Sequence, residues 1–336
     1  MKLQIKSLRA VKCGPLDDVL IDFTDTKTLE PRPVTLLAGA NGSGKTTVLE
    51  LIAGLFDTVD HIDLIHELPS GLTDIGYAEL IAAVDTIEIG VAFGEMPAGT
   101  ELPVLSQHYS GYDTFGSEYP KYIKYPNPNV NELPLSDMIR KQGRSELIAV
   151  KTGQSFVPAI IYFTHIRAIP HVTGSQIERA DSTYRFIYKY SPATEFSGSL
   201  SSYLIWLEYA EPEVYERVRT VVSLILPDSK SFEVDRKTLS VNVRTKSGDV
   251  HRIDQLSSGE QNLISILIEL RRRLIPGSIV LIDEIENSLH PAFQHRLAEA
   301  LLSLQREVAF QLIATSHSPA FLDAFGPEST LLLTEF

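Results

Sequence analysis

Gly39-Ala40-Asn41-Gly42-Ser43-Gly44-Lys45-Thr46 is the stretch that decides the fold of this chain. The apolar run Val34 to Ala38 before it reads as a short buried strand, and Thr46 to Leu55 after it has helical periodicity. Strand, glycine loop and helix in that order form a phosphate-binding loop. The glycines let successive N–H groups turn toward one anion, and the helix start adds its positive dipole end. In this arrangement Lys45 reaches the β- and γ-phosphates of a nucleoside triphosphate and the Thr46 hydroxyl holds Mg²⁺. The expected nucleotide-binding residues are Gly39, Ala40, Asn41, Gly42, Ser43, Gly44, Lys45, Thr46 and Thr47.

Three downstream segments match such a loop. Ser278 to Ile282 reads as a central strand that delivers Asp283 and Glu284 at its carboxyl end, where parallel strands present ligands. Asp283 then serves the metal with Thr46, and Glu284 positions and deprotonates a water. A strand ending in two carboxylates without a use would carry an uncompensated desolvation cost. His317, in Thr315-Ser316-His317-Ser318-Pro319, lies just past the next expected strand and is placed to donate to a γ-phosphate. Leu256-Ser257-Ser258-Gly259-Glu260-Gln261 opens a helix and makes a second anion turn. Ser257 or Ser258 alone is an ordinary N-cap. A nucleotide has one triphosphate, so two such turns suggest a γ-phosphate held from both sides, with Ser257, Ser258, Gly259 and Glu260 as further nucleotide contacts.

At 336 residues with 43% hydrophobic content the chain can bury a sizeable core, and its single cysteine, Cys13, excludes an internal disulfide framework. A cytoplasmic location is expected. No apolar run approaches the roughly 20 residues that a bilayer requires, so direct membrane insertion is not expected. The formal charge of −13 means that any DNA contact must be local. Arg271-Arg272-Arg273, the densest basic run, ends an expected helix, where cations complement the carbonyl end of the dipole.

Along the chain, residues 2 to 9 and about 18 to 23 alternate as strands joined through Gly14-Pro15. Residues 57–157 read as a β-rich insertion with strands at Thr86 to Phe93 and Glu146 to Lys151 and a Tyr/Gly/Pro-rich stretch from Tyr109 to Pro134. Ala159 to Thr164 resumes a buried strand, 199–226 is helical with a break near Pro212, and Ser231 to Arg244 is a hairpin. Gly259 to Leu274 and Pro291 to Gln305 are helices, Val308 to Thr315 is a strand, and Leu331 to Thr334 adds a last one. Strands alternating with helices imply a mostly parallel sheet flanked by helices, within an α/β class.

The order GANGSGKT, LSSGEQ, VLIDEIENSLHP, TSHSP resembles the ABC-type ATPases, motif by motif: Walker A, signature, Walker B, D-loop and switch histidine. The opening LQIKSLRAVKCGPLDDVLIDF, Glu260 after the signature glycine, and DEIENSLHP are most similar to the SMC, RecF and OLD-type branch rather than to transporter cassettes. This resemblance implies an ABC-type core with an N-terminal antiparallel β subdomain and a helical lobe carrying the signature. It divides the chain into 1–56, 57–157, 158–169, 170–256 and 257–336: Walker A part, insertion, core strand with Q-loop, helical lobe with hairpin, and the signature-to-switch part. It further implies ATP and Mg²⁺ as cofactors and a homodimer with ATP at the interface, with a higher assembly as an extension. In such a dimer one subunit's signature meets the ATP on the other's Walker A loop. No room for the carboxyl-terminal nuclease of OLD proteins is evident after the last expected strand. The resemblance therefore points to a separately encoded effector, as in bacterial defence modules, with a RecF-like DNA clamp as the alternative and a transporter motor as a third reading.

Two departures stand out. No glutamine marks the Q-loop, and Thr164-His165-Ile166-Arg167 occupies its place, making His165 and Arg167 candidate nucleotide or Mg²⁺-side contacts. His290 stands in the D-loop, Asn287 to His290, where many members have aspartate. His61, Asp63 and His66 have a ligand-like look but no recognised metal pattern, and a loop or helix face is preferred.

Overall fold

The computed structural model describes residues 1–60, 70–73, 75–94, 112–115, 119–124, 139, 157–167, 169, 184–190, 195–226 and 230–333. His61, Asp63, His66 and the strand expected at 146–151 lie outside them.

Two sheets pack around one hydrophobic core. The first is antiparallel: β1 (Leu3–Cys13) turns through Gly14-Pro15 into β2 (Leu16–Asp22), with Cys13 opposite Leu16. On its other edge β1 pairs with β4 (Ile75–Val84), which turns back into β5 (Ile87–Gly94), and β6 (Tyr112–Phe115) and β7 (Tyr119–Lys124) complete the order β2-β1-β4-β5-β7-β6. Residues 57–157 thus contribute strands directly to the N-terminal sheet. The sequence reading placed one strand at 86–93 and missed β4, whose near-continuous burial hides the alternation that marks a half-exposed strand.

The second sheet is parallel. It comprises β3 (Val34–Gly39), β8 (Ile160–Phe163), β9 (Ile187–Tyr190), β13 (Ile279–Ile282), β14 (Gln311–Ser316) and β15 (Thr330–Leu333) in the order β15-β3-β14-β13-β8-β9. Its central strands are apolar runs without alternation, as burial on both faces demands. Strand β14 separates β3 from β13, and the registers Ser316↔Ala38 and Ile282↔Ala314 bring their carboxyl ends close to level. Among the described residues the helices are α1 (Lys45–Asp60), α2 (Glu195–Ala210), α3 (Pro212–Ile225), α4 (Ser258–Arg273), α5 (Pro291–Val308) and α6 (Pro319–Phe325). Pro212 separates α2 from α3 because proline is tolerated in a helix's first turn and not in its interior. Helix α5 runs to Val308, past its expected end, and stops where Ala309 turns left-handed at φ 55°.

The hairpin β10 (Ser231–Asp235) and β11 (Ser240–Arg244), extended by β12 (Val250–Arg252), joins α2 and α3 in a second apolar cluster. Helix α4 belongs to both clusters. Leu263, Ile266, Leu267 and Leu270 face the main core, whereas Ile264 and Ile268 face the helical lobe. At its end Arg272 and Arg273 are buried, stacked 4.6 Å and 4.4 Å from the rings of Tyr203 and Tyr188 and paired with the fully buried Glu269. Arg271 alone of the three faces solvent, paired with Glu307. No helix of the described residues is long and apolar enough to cross a membrane.

Gln311 ties the two sheets together. Its amide accepts from Ile5 N at 2.7 Å and donates to Ile5 O at 3.0 Å, satisfying the backbone of β1 where the register with β4 shifts between Ile5 and Ser7. Gln311→Leu keeps the volume but orphans a buried N–H and C=O. It should lower unfolding free energy by roughly 3 kcal/mol, read as a shifted urea midpoint. An unchanged midpoint would show that the two sheets do not depend on this amide.

Candidate functional site

The level ends of β3, β14 and β13 put three loops on one edge of the parallel sheet. The first is the glycine loop running into α1. Gly42 has φ +82°, and a Cβ there would meet nothing within 4 Å, so its backbone faces open space. Lys45, buried, folds back over the loop and donates to Gly39 O at 3.0 Å and Ala40 O at 2.7 Å. Burial lowers its pKa, opposed by the carboxylates of Asp283, Glu286 and Glu284. All three acidic groups therefore lie within electrostatic reach of the ammonium.

The second loop follows β13. Asp283 is buried, and its carboxylate receives Thr46 Oγ1 at 3.0 and 3.1 Å and Thr315 Oγ1 at 2.7 Å. Thr315 Oγ1 in turn accepts from Glu284 N at 2.6 Å. A hydroxyl and a carboxylate so close, both hard oxygen donors, are the ligand type that Mg²⁺ takes. Glu284 adopts φ 45°, a left-handed backbone uncommon for a residue with a side chain, and its side chain is exposed. Two adjacent carboxylates thus have different surroundings: one locked beneath the loop, one open to solvent. His165 Nδ1 lies 3.7 Å from Asp283 Oδ2.

Arg167 plays a different part from the contact expected of it. Its guanidinium is buried and donates to the carbonyls of Thr164, Asp283 and Glu284 at 2.8, 2.5 and 2.7 Å. Burial pulls its pKa down to about 10, against the favourable fields of Asp283, Glu284 and Glu286. It braces the backbone that carries both carboxylates.

The third loop follows β14. His317 N donates to Glu286 Oε1 at 2.6 Å, and the ring is exposed. Gln294 on α5 donates to Leu289 O at 2.9 Å and accepts a short bond from the Ser318 hydroxyl, linking the loop after β13 to the start of α6. Thr315, Glu286 and Gln294 escaped the sequence reading; Glu286 sits in DEIEN beside the residues read as catalytic and was the one signal available.

The signature turn stands apart. Ser257 caps α4 in a reciprocal box with Glu260: Ser257 Oγ accepts from Glu260 N, and Glu260 Oε2 accepts from Ser257 N at 3.1 Å. Burial raises the Glu260 carboxyl, but hydrogen bonds from Lys230 and Ser257 outweigh it and hold the group below its ordinary value. Gly259 is required by close approach, since a Cβ would come within 2.4 Å of Ser288 O. Asn287 stitches this turn to the rest: its carbonyl accepts from Asn262 of α4 and its amide donates to His165 O, both at 2.7 Å. His290 caps α5, its Nδ1 accepting from Ala292 N at 3.3 Å. Among the described residues no hydrogen bond or ion pair joins Ser257, Ser258, Gly259 or Glu260 to the glycine loop. No group of three or more metal-ligating side chains occurs among them either.

Comparison with solved structures places this architecture. An SMC head bound to the C-terminal winged-helix domain of ScpA is similar at 16% identity and TM-score 0.50, covering 96% of this chain and 92% of that one. The fold is that of an SMC head. The SMC head domain from Thermotoga maritima is similar at 17% identity and TM-score 0.45, over 96% of this chain and 92% of its own. A dimeric bacterial ABC transporter cassette is similar at 13% identity and TM-score 0.40, over 99% and 94%. The family described as "AAA domain, putative AbiEii toxin, Type IV TA system" matches residues 175–323, which hold the signature, the strand with both carboxylates and His317. No curated relative matches the sequence.

Removing the Arg167 guanidinium tests the brace. Arg167→Met should weaken nucleotide binding by about tenfold and lower stability by roughly 3 kcal/mol, because three carbonyls, that of Asp283 buried, lose a charged donor. Titration of a fluorescent ATP analogue alongside thermal melts reads both; wild-type behaviour in both would remove Arg167 from the supporting frame.

Proposed function

We propose that this chain binds and hydrolyses ATP as an SMC-like ATPase and does so as a head-to-tail dimer with ATP at the interface. The carrying observation is the division of the anion-binding groups. The glycine loop, Asp283, Glu284 and His317 share one sheet edge, whereas the exposed Ser257 and Ser258 open α4 without a bond to that edge. A twofold axis lets the signature of one subunit meet the partner's glycine loop twice over.

In this reading Lys45 exchanges the carbonyls of Gly39 and Ala40 for phosphate oxygens, and the N–H groups of 39–47 surround the β-phosphate. Thr46 and Asp283 would hold Mg²⁺, which would supply charge neutralisation to the triphosphate. Glu284, outside the buried pocket, orients and deprotonates the attacking water, while His317 donates to the γ-phosphate. Ser257, Ser258, Gly259 and Glu260 complete the neighbour's site. Because ATP binds the closed dimer, it stabilises that state by mass action, and hydrolysis releases it.

The biological role extends the same reading. The switching dimer acts on a separately encoded effector in the cytoplasm, of the nuclease kind found in antiphage defence, with DNA as a further partner. The match to a domain described with a toxin of a toxin–antitoxin system supports this direction, and the docking of ScpA on an SMC head offers a precedent for a protein partner. A RecF-like clamp that holds DNA directly is the competing reading. Tight, salt-sensitive duplex binding with stimulated turnover would favour it over the effector.

Glu284→Gln should bind ATP, lose hydrolysis and elute as a dimer; a monomer in the presence of ATP would sink the sandwich. Lys45→Ala should lose nucleotide binding. Ser257→Arg should leave ATP binding within about twofold and abolish turnover, and undiminished turnover would detach the signature turn from the site.

A further inference from the structure

The main chain around His317 is clamped on both sides while its ring is left free. On one side Glu286 Oε1 takes the His317 N–H at 2.6 Å; on the other, Ser318 is held by Gln294, which also holds Leu289 O at 2.9 Å. The second oxygen of the same carboxylate, Glu286 Oε2, is buried and has no hydrogen-bond partner among the described residues. A charged oxygen removed from water without a donor is costly, so its retention calls for a donor that arrives in another state. The Glu286 carboxylate also lies within the field of Lys45 and Arg167, which places it at the same sheet edge as the reacting groups. Ring Nδ1 of a histidine can fold back toward its own backbone N–H, and the two oxygens of one carboxylate can receive both donors. The exposed His317 ring thus belongs to the residue whose backbone N–H this carboxylate already holds.

We propose that Glu286 is the positioning residue for His317, with Oε1 fixing the backbone and Oε2 accepting the ring Nδ1–H when Nε2–H turns to phosphate. The inference rests on the ATPase reading above. It assigns Glu286 the orienting task that carboxylates perform for functional histidines elsewhere. A carboxylate that only secured the loop would need one oxygen, and glutamine would replace it; the orienting task needs two acceptors, and the amide nitrogen of glutamine cannot be the second.

The test uses the full chain with ¹⁵N-labelled histidine and a non-hydrolysable ATP analogue, the His317 signal being assigned by its loss in His317→Ala. In the wild type the analogue-bound state should show a protonated Nδ1, and Glu286→Gln should lose that signal while keeping its melting midpoint. Glu286→Ala should bind the analogue within about twofold of wild type and lower kcat about 10- to 100-fold. The double variant Glu286→Ala/His317→Ala should be no slower than His317→Ala, since two residues acting as a unit do not add. Bound analogue with an unchanged Nδ1 signal in Glu286→Gln, or additive losses in the double variant, overturns the role of Glu286 and leaves the ATPase reading standing. Failure of the wild type to bind the analogue overturns both.

Discussion

A carboxylate buried as completely as Asp283 must be surrounded by donors before the chain can fold around it. Thr46 and Thr315 supply hydroxyls to its oxygens, and Arg167 donates to the carbonyl of the same residue. Each donor comes from a different segment: the start of α1, the end of β14 and the loop after β8. Satisfying one charge therefore fixes the relative positions of three loops at the sheet edge. The register of β3, β14 and β13 makes this possible, because with β14 between the other two both Thr46 and Thr315 reach Asp283 directly.

The strain at this edge has the same origin. Glu284 takes a left-handed backbone immediately after the buried Asp283, and Ser288 takes another four residues on. Reversing the chain so sharply costs of order 1–3 kcal/mol for each residue, a cost the Arg167 and Thr315 bonds offset. The reversal turns one carboxylate inward and its neighbour outward. In the proposed reading the locked carboxylate serves a cation and the open one a water.

How much of this was legible depended on whether a signal was local. The glycine loop, the strand ending in Asp283 and Glu284, and the helix break at Pro212 are properties of consecutive residues, and the structure puts those elements where the residues place them. Strand β4 was not legible because near-continuous burial hides its alternation; β9, four residues long, and the short α6 have too few residues to show a period. Arg167 read as a candidate ligand because its position in sequence says nothing of direction: its guanidinium turns under the backbone rather than out of it. Gln294 and Gln311 are buried polar residues. Their roles appear only when the backbone groups they satisfy, at Leu289 and Ile5, are brought beside them by the tertiary fold.

Helix α4 is the element through which the site and the lobe are mechanically one. Its apolar residues divide between two cores, so it cannot shift toward the lobe without exposing Leu263, Ile266 and Leu270, nor toward the sheets without exposing Ile264 and Ile268. Its polar residues hold the site from the same helix: Gln261 accepts from Ile169 N at 2.8 Å, two residues beyond Arg167, and Asn262 donates to Asn287 O. A displacement of the loops around Asp283 is thereby resisted by bonds to α4, and α4 is resisted by packing against α2 and α3. A change at the carboxylates is therefore felt by α4 through Gln261 and Asn262, and the exposed Ser257 caps that same helix.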